Sequence, residues 1–512
     1  MNSLSFFKSI LSINLCLMLC SCSNTEENTL PDPEIKDGIT KLSGKITNFH
    51  LIGRGDNPML ILRVAHPVTA EVYIATTAVN EDGAFIFEVP MQCNYAIGYF
   101  RPEMTSKGFY VCLTSGKETK MDIIYERTGQ FKITNQTDSL GLTSTDLINI
   151  EMACDKSTNY RPPGITGYAK TPDEFVQRAK IILNYQLKMI AENDALSEIA
   201  KNFVVNNIKI LMLDWHLFLY RESMQVSYLN AGNKDVENFN PPDPDKKYYA
   251  FLKDFNLNNP QYLYPAYYYS EVLQRIFSDE TLNIPPVGDT PVDQWMKEVK
   301  KILSKLVGFN KGLFYDMLAA NSYARQFNNE LKPLSNKQKE NIRNYFKDDK
   351  EDIAKILLRK NDEIIPLVAQ KEPLVVNETP AVPKEQLMAT IISKYRGKVV
   401  VVDFWATWCA PCLDAMEKYR TVKGELKGKN VVFVYLTNET SPKKLWEEKI
   451  KGIGGEHYYL DKFDEWKHLL DSFDFWGIPT YIIFDTKGEL RYRFTNYPGN
   501  EEMQKMIEKL LP

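Results

Sequence analysis

Long apolar runs are almost missing from this chain of 512 residues. The one candidate, "ILSINLCLML" from Ile10 to Leu19, has about ten residues, against the ~20 that a bilayer-spanning helix needs. Concentrated positive charge is missing too. Lys and Arg number 62 against 66 Asp and Glu, the net charge is -4, and no basic block occurs, which argues against nucleic acid as a partner. Histidine is scarce, and no cysteine follows Cys412. The Cys-x-x-Cys of Cys409 and Cys412 therefore lacks the second pair of Cys or His ligands that zinc requires, the nearest histidines being His457 and His468. Leu413 stands where covalent haem attachment would need histidine. No metal and no cofactor are expected, and no internal repeat is present.

What is there begins with an address. Lys8 precedes the apolar run, whose length fits the core of an export signal. The run closes on Leu19-Cys20-Ser21-Cys22, which resembles the lipobox of bacterial lipoproteins, where a small residue precedes the cysteine that is cleaved and lipidated. The resemblance implies a signal peptide over 1–22 and a lipid anchor on Cys22; bulky Leu19 makes Cys20 the poorer match. Glu26 and Glu27 lie in a polar tail similar to surface-export signals of some Gram-negative lipoproteins. The expected location is the cell envelope of a Gram-negative bacterium, on its periplasmic or its surface-exposed side. Apart from Cys16, Cys20 and Cys22, and from the Cys-x-x-Cys, the chain holds only Cys93, Cys112 and Cys154. Three is an odd number, so a disulfide framework does not organise the fold.

With 44% apolar residues, the mature chain has the composition of a soluble globular protein and the length of about three domains at ~150 residues each. A flexible linker is expected over 23–40. Over 41–138, "PMLILRV", "EVYIATTAV", "GAFIFEVP", "FYVCLTSG" and "KMDIIYE" are short strand-like runs; Phe85, Phe87 and Val89 recur with a period of two after the turn signal "NEDG". Such spacing predicts an antiparallel β-sandwich. Residues 139–370 read as an α-helical domain. Thr171-Pro172-Asp173-Glu174 and Ser335-Asn336-Lys337-Gln338 have the form of capping boxes. After the first, Phe175, Ala179, Ile182, Gln186 and Met189 mark one buried helix face. The tyrosine-dense "YLYPAYYYSEVL" is expected to pack between helices with its hydroxyls at the surface, or to line a groove for protein substrates; His216 is expected in the core or at its boundary. Over 371–512, strand-like and helical runs alternate, which implies a mixed α/β sheet.

The Cys-x-x-Cys lies behind the all-apolar run Val399 to Val402, the pattern of a strand buried on both faces, and it should open a helix over "LDAMEKYRTV". A cysteine at a helix N-terminus faces unpaired N–H groups and the positive end of the dipole, both of which favour the thiolate. The thiolate is the attacking species in thiol–disulfide exchange. Cys409 is therefore the expected nucleophile and Cys412 the resolving cysteine.

"VVVVDFWATWCAPC" followed by "GIPT" resembles the thioredoxin superfamily, specifically its TlpA/ResA-like branch, over about residues 384–505. The branch is suggested by the room between Leu436 and Pro479 for an extra helix and strand. The resemblance implies a thioredoxin fold with a redox disulfide between Cys409 and Cys412. Asp403, six residues before Cys409, would be the buried acid that shuttles the proton of the second cysteine. Trp405 and Trp408 would be the two tryptophans beside the site, in contact with the bound substrate. Pro479 would be the cis-proline across from the disulfide, and the backbone of Ile478 would pair with the substrate chain like an added strand. The 41–138 segment is loosely similar to the small β-domain that precedes thioredoxin domains in many bacterial lipoproteins.

Between the cysteines stand Ala410 and Pro411; strong oxidants of this superfamily carry histidine there. The poise should therefore lean reducing, towards about -270 mV and away from about -120 mV. Expected partners are substrate proteins with disulfides and a membrane thiol-electron donor. The sequence thus predicts an exported, lipid-anchored protein-disulfide reductase. Two alternatives stay open: a surface binding lipoprotein that uses the thioredoxin fold as a scaffold, and a disulfide isomerase.

Overall fold

A computed structural model of the chain describes residues 29–512, leaving out 53–57, 106, 159–161, 163–164, 166 and 235–238. The expected signal peptide and Cys22 lie outside the described residues. No helix among those described is long and apolar enough to cross a membrane.

Among the described residues, eight strands come first: β1 Ile35–Thr47, β2 Met59–His66, β3 Glu71–Ala78, β4 Ala84–Cys93, β5 Tyr95–Pro102, β6 Phe109–Thr114, β7 Glu118–Tyr125 and β8 Phe131–Gln136. They form two four-stranded sheets, ordered β4-β1-β7-β8 and β3-β2-β5-β6. The period-two reading holds in β4, where Phe85, Phe87 and Val89 are buried and Ile86 and Glu88 face out. Phe85 and Phe87 meet Phe100 of the other sheet at ring distances of 5.5 and 6.2 Å, and Phe109 meets Phe131 at 5.3 Å, so the two sheets share one core.

Two expectations need correction. Strand β1 begins at Ile35, inside the stretch expected as flexible linker; its polar start, Lys36-Asp37-Gly38, conceals a segment that pairs with the end of β4 across a bulge. The strands are also not all antiparallel, because β1 runs parallel to β7. Gly44 permits that close approach: a Cβ there would sit 1.7 Å from the carbonyl oxygen of Met121.

Nine α-helices follow among the described residues: α1 Ser144–Thr158, α2 Pro172–Ala191, α3 Glu198–Met212, α4 Tyr220–Asn230, α5 Ala266–Ser278, α6 Val292–Val307, α7 Leu313–Glu330, α8 Asn336–Tyr345 and α9 Glu351–Val368. Ser335 and Gln338 form the full reciprocal capping box of α8. At α2 only half of the box forms. Thr171 accepts from the Glu174 N–H at 3.2 Å, but the Glu174 carboxylate turns to the N–H of Lys170. Gln186 is buried with Phe175 and Ala179, and Ile190 takes the place expected for Met189.

The tyrosine-dense segment belongs to the core. The hydroxyls of Tyr262, Tyr264 and Tyr269 donate to the carbonyls of Phe255, Pro31 and Leu257 at 2.6, 2.7 and 2.8 Å. They satisfy buried backbone acceptors instead of reaching the surface. His216 is exposed, in a π-turn over Leu213–Leu217.

The C-terminal sheet has six strands: β9 Leu374–Asn377, β10 Val399–Phe404, β11 Val431–Asn438, β12 Gly455–Leu460, β13 Thr480–Phe484 and β14 Leu490–Thr495, in the order β14-β13-β10-β11-β12-β9. Strands β9 to β12 are mutually parallel, and β13 and β14 are antiparallel to their neighbours. Helices α10 Lys384–Ser393, α11 Ala410–Lys418, α12 Arg420–Glu425, α13 Lys443–Ile453, α14 Phe463–Ser472 and α15 Asn500–Glu508 accompany it. Apolar clusters lie on both faces, which explains why β10 is buried at every position. Helix α13 docks on α7 through an Arg325–Glu448 ion pair of 2.6 Å, and both side chains are largely buried. The helical region and the C-terminal sheet are thus in direct contact.

Candidate active site

Cys409 is the N-cap of α11, where β10 ends and the chain turns. Its sulfur accepts from the Cys412 N–H at 3.3 Å, and its carbonyl accepts from the Leu413 N–H at 3.1 Å. The two sulfurs are bonded to each other, with Cα atoms 5.3 Å apart. In this oxidised state Cys409 and Cys412 are 3% and 0% exposed, so exposure barely separates them. Their positions in the helix do separate them. Cys409 caps the first turn, where a sulfur anion would meet free N–H groups, whereas Cys412 lies inside the turn.

Asp403 sits on β10 between Tyr435 of β11 and Tyr481 of β13, its register partners. It is fully buried. The Tyr419 hydroxyl, at the end of α11, donates to its Oδ2 at 2.7 Å, and its Oδ1 has no hydrogen-bond partner among the described residues. Burial pushes the Asp403 carboxyl up to about 7, against the opposing pull of the Tyr419 hydrogen bond and the Lys423 charge. An acid that ionises near neutrality suits proton exchange with a thiol. Tyr419, Tyr435 and Tyr481 belong to the same apolar cluster as both cysteines.

The other expected site residues divide. Trp408 is half-exposed beside Cys409 and donates its Nε1–H to Thr440 Oγ1 at 3.0 Å. Trp405 is fully buried, 6.4 Å from the His457 ring, and its Nε1 has no hydrogen-bond partner among the described residues. It cannot meet a substrate at the surface, because β10 carries it into the core; this corrects its expected role in substrate contact. The Ile478–Pro479 peptide is cis, and Ile478 packs against the cluster that holds the cysteines. The Thr480 hydroxyl donates to the Gly477 carbonyl at 2.7 Å and ties down this loop. His457 is not free to bind a ligand. Burial lowers it to about 3, its Nε2 lies 3.0 Å from the Gly454 carbonyl oxygen, and its ring stacks on Tyr435 at 4.7 Å.

Three site residues escaped sequence reasoning. Trp476, 99% exposed two residues before Ile478, had a signal: a tryptophan directly in front of the Gly477-Ile478-Pro479-Thr480 stretch. Tyr419 and Lys423 had none, because a tyrosine and a lysine four apart on a short helix read as surface residues.

A Redoxin family model matches residues 375–511. The thiol-disulfide oxidoreductase ResA of Geobacillus kaustophilus is 28% identical over 122 residues, 24% of this chain and 68% of the relative. A thioredoxin of Coprinus comatus is 32% identical over 71 residues, 14% of this chain and 67% of the relative. Among solved structures, the thioredoxin domain of a thiol-disulfide oxidoreductase from Bacteroides vulgatus shares 24% identity. The match covers 23% of this chain and 84% of that one, with a TM-score of 0.21. Through its C-terminal domain, this chain belongs to the thioredoxin superfamily, in the TlpA/ResA-like branch of thiol–disulfide oxidoreductases.

Proposed function

We propose that this protein is an exported, lipid-anchored reductase of protein disulfides in the cell envelope of a Gram-negative bacterium. One observation carries the reading: the bonded Cys409 and Cys412 open a helix beside a buried acid that ionises near neutrality. In the reduced protein, the Cys409 thiolate attacks a substrate disulfide, forms a mixed disulfide and releases the first substrate thiolate. Asp403 takes the proton of Cys412. The Cys412 thiolate then attacks the Cys409 sulfur, releases the second substrate thiolate and leaves the Cys409–Cys412 disulfide. Two electrons have passed to the substrate, and a membrane thiol donor restores the dithiol. Trp408, Ile478 and Pro479 form the surface on which the substrate chain lies.

The parts follow a β domain that opens with β1 at Ile35 and runs to 138, a helical domain over 139–370 and a thioredoxin-like domain over 371–512, with the N-terminal sheets acting as a β-sandwich. Cys22 carries the anchor, and the first two domains select or position the substrate protein. The test is adduct trapping in the native membrane. The Cys412→Ser protein should accumulate high-mass bands that vanish with dithiothreitol, and it should lose insulin-reduction turnover. A wild type without turnover, together with no adducts from Cys412→Ser, would favour a binding scaffold instead.

A further inference from the structure

Lys423 is buried, 5% exposed, yet it carries its charge into the core beside Tyr435, the register neighbour of Asp403. Three oxygens surround its ammonium group. It donates to the Tyr435 hydroxyl at 3.0 Å and to the Ile453 carbonyl at 3.1 Å, and it forms an ion pair of 2.7 Å with Glu372. Burial works against that charge, but Tyr435 and Glu372 outweigh it and keep Lys423 a cation. Glu372 lies in the five-residue connector, 369–373, that joins α9 to β9. Its side chain is 29% exposed. The connector is held tightly: the Gly455 N–H donates to the Pro373 carbonyl at 3.0 Å, and a Cβ on Gly454 would sit 2.3 Å from the Glu372 carbonyl oxygen. A cavity of about 20 Å³, large enough for a water molecule, borders Lys423 and Tyr435 between Lys371 of the connector and Met416 of α11.

We propose that Lys423 and Glu372 act as a positioning pair that sets the proton affinity of Asp403, so that the connector from the helical region is an electrical part of the redox site. The inference rests on the oxidoreductase reading above and adds a control to it. Neither residue touches the reacting sulfurs. Lys423 favours the Asp403 carboxylate by its positive charge, and Glu372 offsets part of that charge. A connector that moved Glu372 away would strengthen the field of Lys423 and make Asp403 give up its proton more readily. Lys371 and Arg420 line the same cavity and are the other basic groups beside the pair; burial lowers the Lys371 ammonium. Tyr419, Tyr435 and Tyr481 are all pushed up by burial, and His457 stays neutral.

Signs make the test sharp. In the full-length reduced protein, the Asp403 carboxyl is followed by ¹³C titration, with Asp403→Asn assigning its resonance. The pH dependence of the Cys412 step is followed in parallel by tryptophan fluorescence. Lys423→Met should move the Asp403 midpoint up by about one pH unit or more, and Glu372→Gln should move it down. Lys423→Arg, which keeps the charge, should restore the upward shift towards the wild-type midpoint. Glu372 is partly exposed, so Glu372→Gln tests the pair even where Lys423→Met fails to fold. A shift of the same sign in both variants, or no downward shift in Glu372→Gln, overturns the proposal. A protein that titrates as described but reduces no disulfide would instead refute the oxidoreductase reading and leave the pair intact.

Discussion

The cysteines of the described residues occupy two settings that burial alone does not distinguish. Cys93 and Cys112 lie in the N-terminal strands and Cys154 lies on α1; Cys409 and Cys412 start α11. Burial pushes the Cys93 and Cys154 thiols up to about 12 and holds Cys112 higher still. Cys409 and Cys412 are just as enclosed. Around Cys112 the polar neighbour is the Ser139 carbonyl, an acceptor at 3.0 Å, which favours the protonated thiol. Around Cys409 it is a backbone N–H, which favours the anion. Among equally enclosed thiols, the direction of the dipoles that face the sulfur is therefore what separates the two settings.

The largest expected effect breaks the comparison at its centre. Cys409→Ser should lower disulfide-reduction turnover by about 10³-fold or more, since no other thiol among the described residues caps a helix N-terminus. Insulin or peptide-disulfide assays would read this, and turnover close to wild type would shift the role to one of the buried cysteines.

Next comes the cost of the buried acid. Its unfolded carboxyl ionises near the ordinary 3.8 and its folded carboxyl near 7. Between these values the folded state holds the extra proton, so stability should fall as pH rises through that window. Asp403→Asn lacks this penalty. Relative to wild type, it should gain about 4 kcal/mol by pH 8, an upper bound, and most of that gain should be absent at pH 4. Denaturant unfolding of the C-terminal domain at the two pH values, read by tryptophan fluorescence, would check it.

In kinetics the same substitution should act the other way. The Cys412 step should slow by about 10²-fold, because an amide cannot take its proton, while the first attack by Cys409 stays within a few-fold. Stopped-flow reduction of a peptide disulfide separates the phases; an unchanged second phase would make Asp403 structural only. The smallest effect belongs to the other setting. Replacing Cys93, Cys112 and Cys154 together by Ala should change the reduction rate by no more than about three-fold. A full loss of rate with intact circular dichroism would show that one of them relays electrons.

Much of the redox centre was legible along the chain because its parts are local. An apolar run ends in an acid, a Cys-x-x-Cys follows six residues later, and Gly-Ile-Pro-Thr returns further on. The strands of 41–138 and the helix starts at Thr171 and Ser335 were legible for the same reason: alternation and capping involve near neighbours. Polar or two-faced segments were not. β1 was hidden by Lys36 and Asp37, and the hydroxyls of Tyr262, Tyr264 and Tyr269 were expected at the surface because they find backbone acceptors only after folding.

By itself, the sequence determined that a strand buried on both faces must hand the chain to a helix at Cys409, and its resemblance to thioredoxins marked the acid at 403. Apolar spacing and helix-start chemistry need nothing more than adjacent residues. Only the tertiary structure decided that Trp405 turns inward while Trp408 stays at the rim. It alone decided that Tyr419 reaches Asp403, and that Glu372 meets Lys423 across 51 residues of chain. These contacts depend on which helix face and which connector the folded sheet brings over the acid. In a low-dielectric core, such neighbours set the charge state of a group that sequence can name but cannot tune.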